Sequence, residues 1–256
     1  MGIIDTHTHI FASEFDQDIA EVVDRAKRAG VTKILLPNID VESVHRLHKL
    51  SDEYPDYCFP MMGLHPSSVT SNWEQDLNQI KENFSKRKYI AVGEIGIDLY
   101  WDKTLVQKQK LAFEEQLRWS REYDLPVSIH SRDAISEVIE SIKNVGADNL
   151  RGVFHSFGGT LEEMQAILSL KNFYLGVNGV VTYKNSKLPE VLKEASLMHI
   201  VIETDAPYLP PVPYRGKRNE PSYTREIVKK LSEIFSCSVE EVEKITADNA
   251  KSIFLL

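Results

Sequence analysis

The chain alternates short apolar runs with longer amphipathic stretches. The apolar runs are rich in valine and isoleucine, a pattern typical of strands that are buried on both faces. Eight such runs are predicted to form strands, at residues 2–5, 33–37, 58–64, 89–93, 126–129, 152–154, 173–177 and 200–203.

The stretches between these runs have helical periodicity. The first predicted helix has one apolar face, formed by Ile19, Val22, Val23 and Ala26. Gly30 is suited to end that helix, and residues 103–123 form a longer one with a similar apolar stripe. Two pairs of residues have the spacing of N-terminal capping boxes, Thr160 with Glu163 and Ser238 with Glu241.

Eight strands alternating with helices over about 250 residues predict an α/β protein with a (β/α)₈ TIM barrel, residues 1–256 forming a single domain. A doubly wound open sheet is the alternative, but no glycine-rich phosphate-binding motif follows any predicted strand. Residues 206–221 form a long segment without helical pattern that contains five of the eleven prolines. Loops of this length inside compact domains are usually functional.

Barrel enzymes carry their catalytic groups at the C-terminal ends of the strands. Five of the eight histidines and two carboxylates fall at such ends: His7, His9, His65, Glu94, His130, His155 and Asp205. One histidine alone would be read as an ordinary core or surface residue. Five, together with two carboxylates, predict a metal centre.

His7 and His9 point the same way if they continue a strand, so they can bind one ion together. His65 has no clear place in the ligand set. The other four histidines and the two carboxylates exceed the needs of one hydrolytic ion and suit two divalent ions such as Zn, Mn or Mg. Glu94 is central by strand position and is predicted to bridge them. The first ion is assigned to His7, His9, Glu94 and Asp205, and the second to Glu94, His130 and His155.

The sequence resembles the TatD-type metal-dependent deoxyribonucleases of the amidohydrolase superfamily over essentially its whole length. The motifs that carry the resemblance lie at residues 5–9, 93–98, 129–134, 155–157, 203–208 and, most specifically, 213–221. The resemblance implies a (β/α)₈ barrel, hydrolysis of phosphodiesters and the same six metal ligands. Four residues depart from the family pattern: members often have cysteine at Thr8, histidine at Ser67, an aromatic residue at Leu99 and serine at Gly158. Of these, Ser67 is the departure expected to affect substrate preference.

Several residues are expected to act on the substrate. Asp205 would accept the proton of the attacking water, and His65 would contact the substrate or donate a proton to the leaving oxygen. Arg215 and Arg218 are predicted to clamp phosphate, because a guanidinium matches phosphate oxygens bidentately. Flanking residues are expected to orient histidines (Asp98, Asp133) or to stack a base or pack a loop (Tyr100, Trp101).

The net charge of −8 argues against a broad basic surface for duplex DNA. It leaves room for a phosphate held locally by metal ions and a few arginines. No apolar run of 18 residues is present and no secretory signal is evident, so a cytoplasmic location is expected, without membrane contact. Cys58 and Cys237 are expected to be free thiols.

Three functions are compatible with these features. The leading hypothesis is a deoxyribonuclease that cuts DNA from single-stranded or frayed ends, with no obligate protein partner. The alternative is a metal-dependent amidohydrolase or esterase with a small substrate, which would not need the basic loop at Arg215 and Arg218. A non-catalytic metal-binding scaffold is a third. The sequence leaves open the native metal, the strand polarity and the choice between DNA and RNA.

Overall fold

The computed structural model describes residues 2–100 and 103–256. Within them, eight strands occur in chain order: β1 (Ile3–Asp5), β2 (Val31–Pro37), β3 (Cys58–Met61), β4 (Val92–Asp98), β5 (Val127–Arg132), β6 (Gly152–Phe154), β7 (Phe173–Val177) and β8 (Ile200–Ile202). The predictions for β6 and β7 have the observed bounds, and the others agree to within a few residues except at β4.

Among the described residues, one α-helix follows each strand from β1 to β7, and two follow β8. They are α1 (Ile19–Arg28), α2 (Val44–Glu53), α3 (Trp73–Glu82), α4 (Val106–Tyr123), α5 (Ile135–Val145), α6 (Leu161–Leu168), α7 (Leu188–Leu192), α8 (Thr224–Phe235) and α9 (Val239–Phe254). Thr160 and Glu163 form the complete predicted capping box of α6, and Ser238 caps α9 by accepting from the Glu241 amide. Trp101 lies outside the described residues. Within the described ranges, no helix is both long and apolar enough to cross a membrane.

All strand pairs are parallel, in the orders β1-β2-β3 and β4-β5-β6-β7-β8. Hydrogen bonds join the two groups of strands at both seams. At one seam, the Gly93 amide donates to the Met62 carbonyl at 3.1 Å, and at the other the Thr6 amide donates to the Ile202 carbonyl at 3.0 Å. The strands therefore form the ring of a (β/α)₈ barrel, as predicted.

Strand β4 differs from its prediction. It runs to Asp98, so Glu94 lies inside the strand instead of following it. The prediction ended the strand at Gly93, the last residue of the apolar run before the charged Glu94. Here the glycines let β4 approach β5 closely: a Cβ at Gly96, where φ is +147°, would overlap the carbonyl oxygen of His130.

The N-terminal end of the barrel is filled by apolar side chains. Inward-facing strand residues such as Ile4, Leu35 and Met61 pack there against the C-terminal turns of α9, including Ile253 and Phe254. A larger cluster fills the space between the strands and the surrounding helices. The polar residues at the strand ends lie at the opposite, C-terminal end of the barrel.

Candidate metal centre

The six predicted metal ligands come together at the C-terminal end of the barrel. They follow β1, β6 and β8 or lie within β4 and β5, and none is exposed to a large extent. This arrangement agrees with the prediction that these strand ends converge. The carboxylate of Glu94 lies at the centre, and its two oxygens face different groups of side chains.

The first group faces Oε2 of Glu94. His7 Nε2 lies 3.1 Å and His9 Nε2 lies 3.5 Å from this oxygen. The two imidazole nitrogens are 3.3 Å apart, and Asp205 Oδ1 is 3.6 Å from His9 Nε2. Two imidazoles and two carboxylates thus point their ligand atoms at one small volume.

The second group faces Oε1 of Glu94. His130 Nδ1 lies 2.9 Å from this oxygen, His65 Nε2 3.3 Å and His155 Nε2 3.7 Å. His155 Nε2 is also 3.8 Å from Asp205 Oδ1, so it lies between the two groups. The atoms of His65, Glu94 and His130 are close enough to hold one ion. The sequence interpretation had kept His65 outside the ligand set.

Polar groups behind three histidines hold the far side of each ring. Their contacts are Ser128 Oγ with His7 Nδ1 at 3.0 Å, Asp98 Oδ2 with His130 Nε2 at 2.9 Å, and Glu203 Oε1 with His155 Nδ1 at 2.9 Å. Such partners fix the orientation of a metal-binding imidazole and raise its basicity. Asp98 therefore lies where sequence reasoning placed it, whereas Asp133 makes no hydrogen bond to a histidine among the described residues.

Sequence reasoning missed Glu203. Its side chain is fully buried, and Oε1 also accepts from the Ser156 amide at 2.6 Å. A Cβ at Gly176 would overlap this carboxylate, so that glycine makes room for it. The available signal was a charged residue at the end of an otherwise apolar strand, since buried carboxylates need a specific partner.

Burial and mutual charge set the protonation of the cluster. Burial alone would raise the pKa of Glu94, but His65, His7 and His155 hold that pKa well below its usual value. Burial, reinforced by the charge of nearby His155, lowers the pKa of His7. An ionised carboxylate beside a neutral imidazole is the state that binds a cation.

His155 and Asp205 shift in the other direction. Burial opposes the charged ring of His155, but Glu203, Glu94 and Asp205 raise its pKa to about 10. Burial raises the pKa of Asp205 to about 6, although His155 and His9 oppose the shift. Without a cation, the cluster therefore keeps a proton on His155 near neutral pH.

The environment of His65 fixes its tautomer. Its Nδ1 accepts a hydrogen bond from the Ser67 backbone amide at 3.1 Å and lies 2.7 Å from Ser67 Oγ. A nitrogen that accepts from an amide carries no proton, so the neutral ring carries its proton on Nε2. That nitrogen faces Glu94 Oε1 and is suited to donate.

The two arginines of the predicted phosphate clamp have other partners. Arg218 forms a bidentate pair with Asp18, at 2.8 and 2.7 Å, and donates to the Glu14 carbonyl at 2.6 Å. The guanidinium of Arg215 stacks on the ring of Tyr183, 3.9 Å from its centroid. This geometry argues against a clamp at Arg218, because the loop after β8 folds back onto the N-terminal segment of the chain. The same role for Arg215 stays a prediction.

A cavity of about 470 Å³ opens above the cluster, and we call it the mouth cavity. Its walls include His65, Ser67 and the exposed ring of Tyr208. Among the described lysine and arginine side chains, only Arg132 lines it. Arg132 follows His130 by two residues at the end of β5, and sequence reasoning assigned it no role.

Comparisons with known proteins agree with this geometry. A family model described as TatD related DNase matches residues 4–255. A Bacillus subtilis protein named uncharacterized metal-dependent hydrolase YabD is 39% identical over 253 residues, which cover 98% of each chain. A Rahnella protein named 3'-5' ssDNA/RNA exonuclease TatD is 32% identical over 97% of this chain and 96% of its own. The crystal structure of YjjV, a TatD homologue from Escherichia coli, superposes with a TM-score of 0.92 at 30% identity, covering 99% of this chain and 98% of its own.

Proposed function

The chain belongs to the TatD-related DNase family of metal-dependent hydrolases, and on that premise we propose that it hydrolyses the phosphodiester bonds of DNA from single-stranded or frayed ends. The carboxylate of Glu94 is the observation that carries this proposal. It lies at the open end of the barrel, and each of its two oxygens faces a different group of potential ligand atoms. A cytoplasmic location and the absence of an obligate protein partner stay predictions.

The donor set fits two divalent ions. Imidazole nitrogens and carboxylate oxygens together suit Zn²⁺, Mn²⁺ and related ions. We assign His7, His9, Glu94 and Asp205 to the first ion and Glu94, His130 and His155 to the second. Ions held there would make a water nucleophilic at neutral pH and neutralise charge on the phosphoryl oxygens.

The side chains of the chain would then move the protons. Asp205 lies beside His9 and His155 and would accept the proton of the attacking water. His65 would contact the leaving oxygen through a hydrogen bond donated by Nε2, because the Ser67 amide keeps the other ring nitrogen unprotonated. Asp98 and Glu203 would hold His130 and His155 in place while charge develops.

A phosphodiester suits the mouth cavity better than an uncharged ester or amide does. Arg132 supplies a cation at the wall of the cavity, and a guanidinium forms its strongest hydrogen bonds with anionic oxygens such as those of phosphate. Relatives named 3'-5' ssDNA/RNA exonuclease support the same substrate class. A metal-dependent amidohydrolase or esterase is the second candidate function, and its uncharged substrate would not use the charge of Arg132.

Purified protein, stripped of metal and reloaded with one divalent ion at a time, tests the proposal. It is offered end-labelled single-stranded DNA, blunt duplex DNA and a panel of small esters and amides, with Asp205→Asn as the matched control. We expect single nucleotides to be released from the ends of single strands, more slowly from the duplex, and hardly at all by Asp205→Asn. Rapid hydrolysis of an ester or amide by a protein that leaves DNA intact would replace the nuclease with the second candidate.

A further inference from the structure

We infer that a second cavity beside the metal cluster binds the terminal nucleotide of the substrate strand, and that the absence of a side chain at Gly158 keeps this cavity open. We call it the side cavity. Its volume is about 410 Å³, and Asp133, Ile135, Gly158 and Glu163 contribute to its walls. The inference rests on the proposed function, because it concerns a nucleic acid that is cut at its end.

The side cavity and the mouth cavity meet at the metal cluster. His130, Arg132, His155 and Asp205 line both of them. A phosphate at the cluster would therefore adjoin both cavities, and a phosphodiester has two nucleosides to accommodate. Each volume falls within the range of about 300–1,000 Å³ that is usual for small-molecule pockets.

Arg132 stands where the two cavities join. Its guanidinium carbon lies 3.7 Å from the centroid of the Tyr100 ring, in a cation–π stack. Stacking limits the rotation of the planar group, so a phosphate at the junction meets donors that are already oriented. This places the charge of the substrate at the junction and leaves the side cavity for its nucleoside.

The walls of the side cavity suit a nucleoside. Ile135 and Leu209 provide apolar surface for a base or sugar face, and Ser131 provides a hydroxyl group. Asp133 and Glu163 provide carboxylates that accept from sugar hydroxyls and base amines. A bare phosphate ester would use the cluster and Arg132 but none of these walls.

Gly158 is the position where bulk can be added to the side cavity without distorting the backbone. A Cβ built there meets no heavy atom nearer than 3.9 Å, the Ser156 carbonyl oxygen. At neighbouring Gly159, a Cβ would lie 2.6 Å from Glu163 Oε2 and 2.9 Å from Ile135. A side chain at Gly158 therefore tests the cavity, whereas one at Gly159 would test packing.

The experiment compares wild-type protein with Gly158→Ser and Gly158→Trp, each loaded with the same divalent ion. Ser169→Trp is the matched control, because it adds the same indole to an exposed position at the opposite end of α6. Binding of dTMP is measured by calorimetry, and nucleotide release is measured on end-labelled linear single-stranded DNA. Melting temperature and metal content report whether each variant folds and assembles its cluster.

We expect dTMP binding and nucleotide release to fall with the size of the side chain, by about tenfold or more for Gly158→Trp, while its metal content and melting temperature match those of wild type. Ser169→Trp should behave as wild type in every measurement. If Gly158→Trp binds dTMP and trims DNA as well as wild type does, the side cavity does not hold the terminal nucleotide. If wild-type protein neither cleaves DNA nor binds dTMP, the proposed function itself fails and this inference falls with it.

Discussion

Replacing Arg218 with alanine should destabilise the protein and leave its binding to DNA almost unchanged. The guanidinium donates to both carboxylate oxygens of Asp18 and to the Glu14 carbonyl, and it lies over the ring of Phe15 at 4.3 Å. The contact attaches the loop after β8 to the segment before α1. Alanine removes this attachment but leaves the metal cluster in place.

The size of the effect follows from geometry and exposure. The two side chains are about one-third exposed, 31% for Arg218 and 33% for Asp18, so solvent screens their attraction. Exposed ion pairs contribute about 0.2–1 kcal/mol, and the bidentate geometry with a third hydrogen bond places this pair near the upper end. A loss of about 1 kcal/mol lowers the melting temperature of a protein of this size by about 2–4 °C.

Urea and thermal unfolding of wild type, Arg218→Ala, Asp18→Ala and the double variant measure the coupling in a double-mutant cycle. The salt dependence of DNA binding is measured on the same four proteins. Arg215→Ala is the matched comparison, because Arg215 lies in the same loop and stacks on Tyr183.

The opposite pattern would refute this reasoning. If Arg218→Ala keeps full stability, shows no coupling to Asp18 and reduces the log–log salt slope by about 0.7 on single strands, Arg218 is a phosphate contact. The loop would then have to move towards the cluster when DNA binds.

Three further results are expected. Elemental analysis should find about two ions per chain in wild type, fewer than one in Glu94→Ala and about one in His7→Ala; an unchanged metal content in Glu94→Ala would exclude the bridge. Turnover by metal-loaded Asp205→Asn should fall by about 10²–10⁴-fold, the usual loss when acid–base catalysis is removed, and near-normal turnover would reject Asp205 as the base. Metal binding should release protons near neutral pH and weaken as pH falls, because the raised pKa of His155, about 10, keeps its ring protonated until an ion displaces the proton. Calorimetry in buffers of different ionisation enthalpy measures this release, which should be smaller in Glu203→Gln; equal proton counts in the two proteins would contradict the role of Glu203.

The sequence predicts the strands best where local pattern and burial agree. The runs at β6 and β7 are apolar, short and bounded by polar residues, so their limits follow from the pattern alone. Strand β4 runs past its prediction because the apolar run ends before Glu94, whereas the observed strand continues through Glu94 and Gly96. The close approach of β5 explains why glycine is needed at position 96. Such an approach is a tertiary property that a local pattern does not encode.

The candidate site also combines features that the local sequence predicts with features that depend on tertiary contacts. The convergence of the six predicted ligands follows from sequence because each is a chemically distinctive residue at a strand end, where barrel enzymes place their catalytic groups. Glu203 could not be assigned in this way, since its role depends on the ring of His155, a residue 48 positions earlier in the chain. The pairing of Arg218 with Asp18 could not be inferred either, because Asp18 is 200 residues away in sequence and no loop motif encodes the contact.

The packing of α9 against the N-terminal end of the barrel separates the residues that stabilise the fold from those that surround the metal cluster. Ile4, Leu35 and Met61 meet Ile253 and Phe254 at the end of the barrel opposite to the metal cluster. Substitutions that change the packing at this end should alter thermal resistance without altering the reaction, and changes at the mouth should alter substrate choice without loosening the barrel. Distant sites of this kind usually contribute independently. A laboratory-evolution experiment could therefore select for thermal stability at one end and for substrate specificity at the other, and the selected substitutions should combine additively.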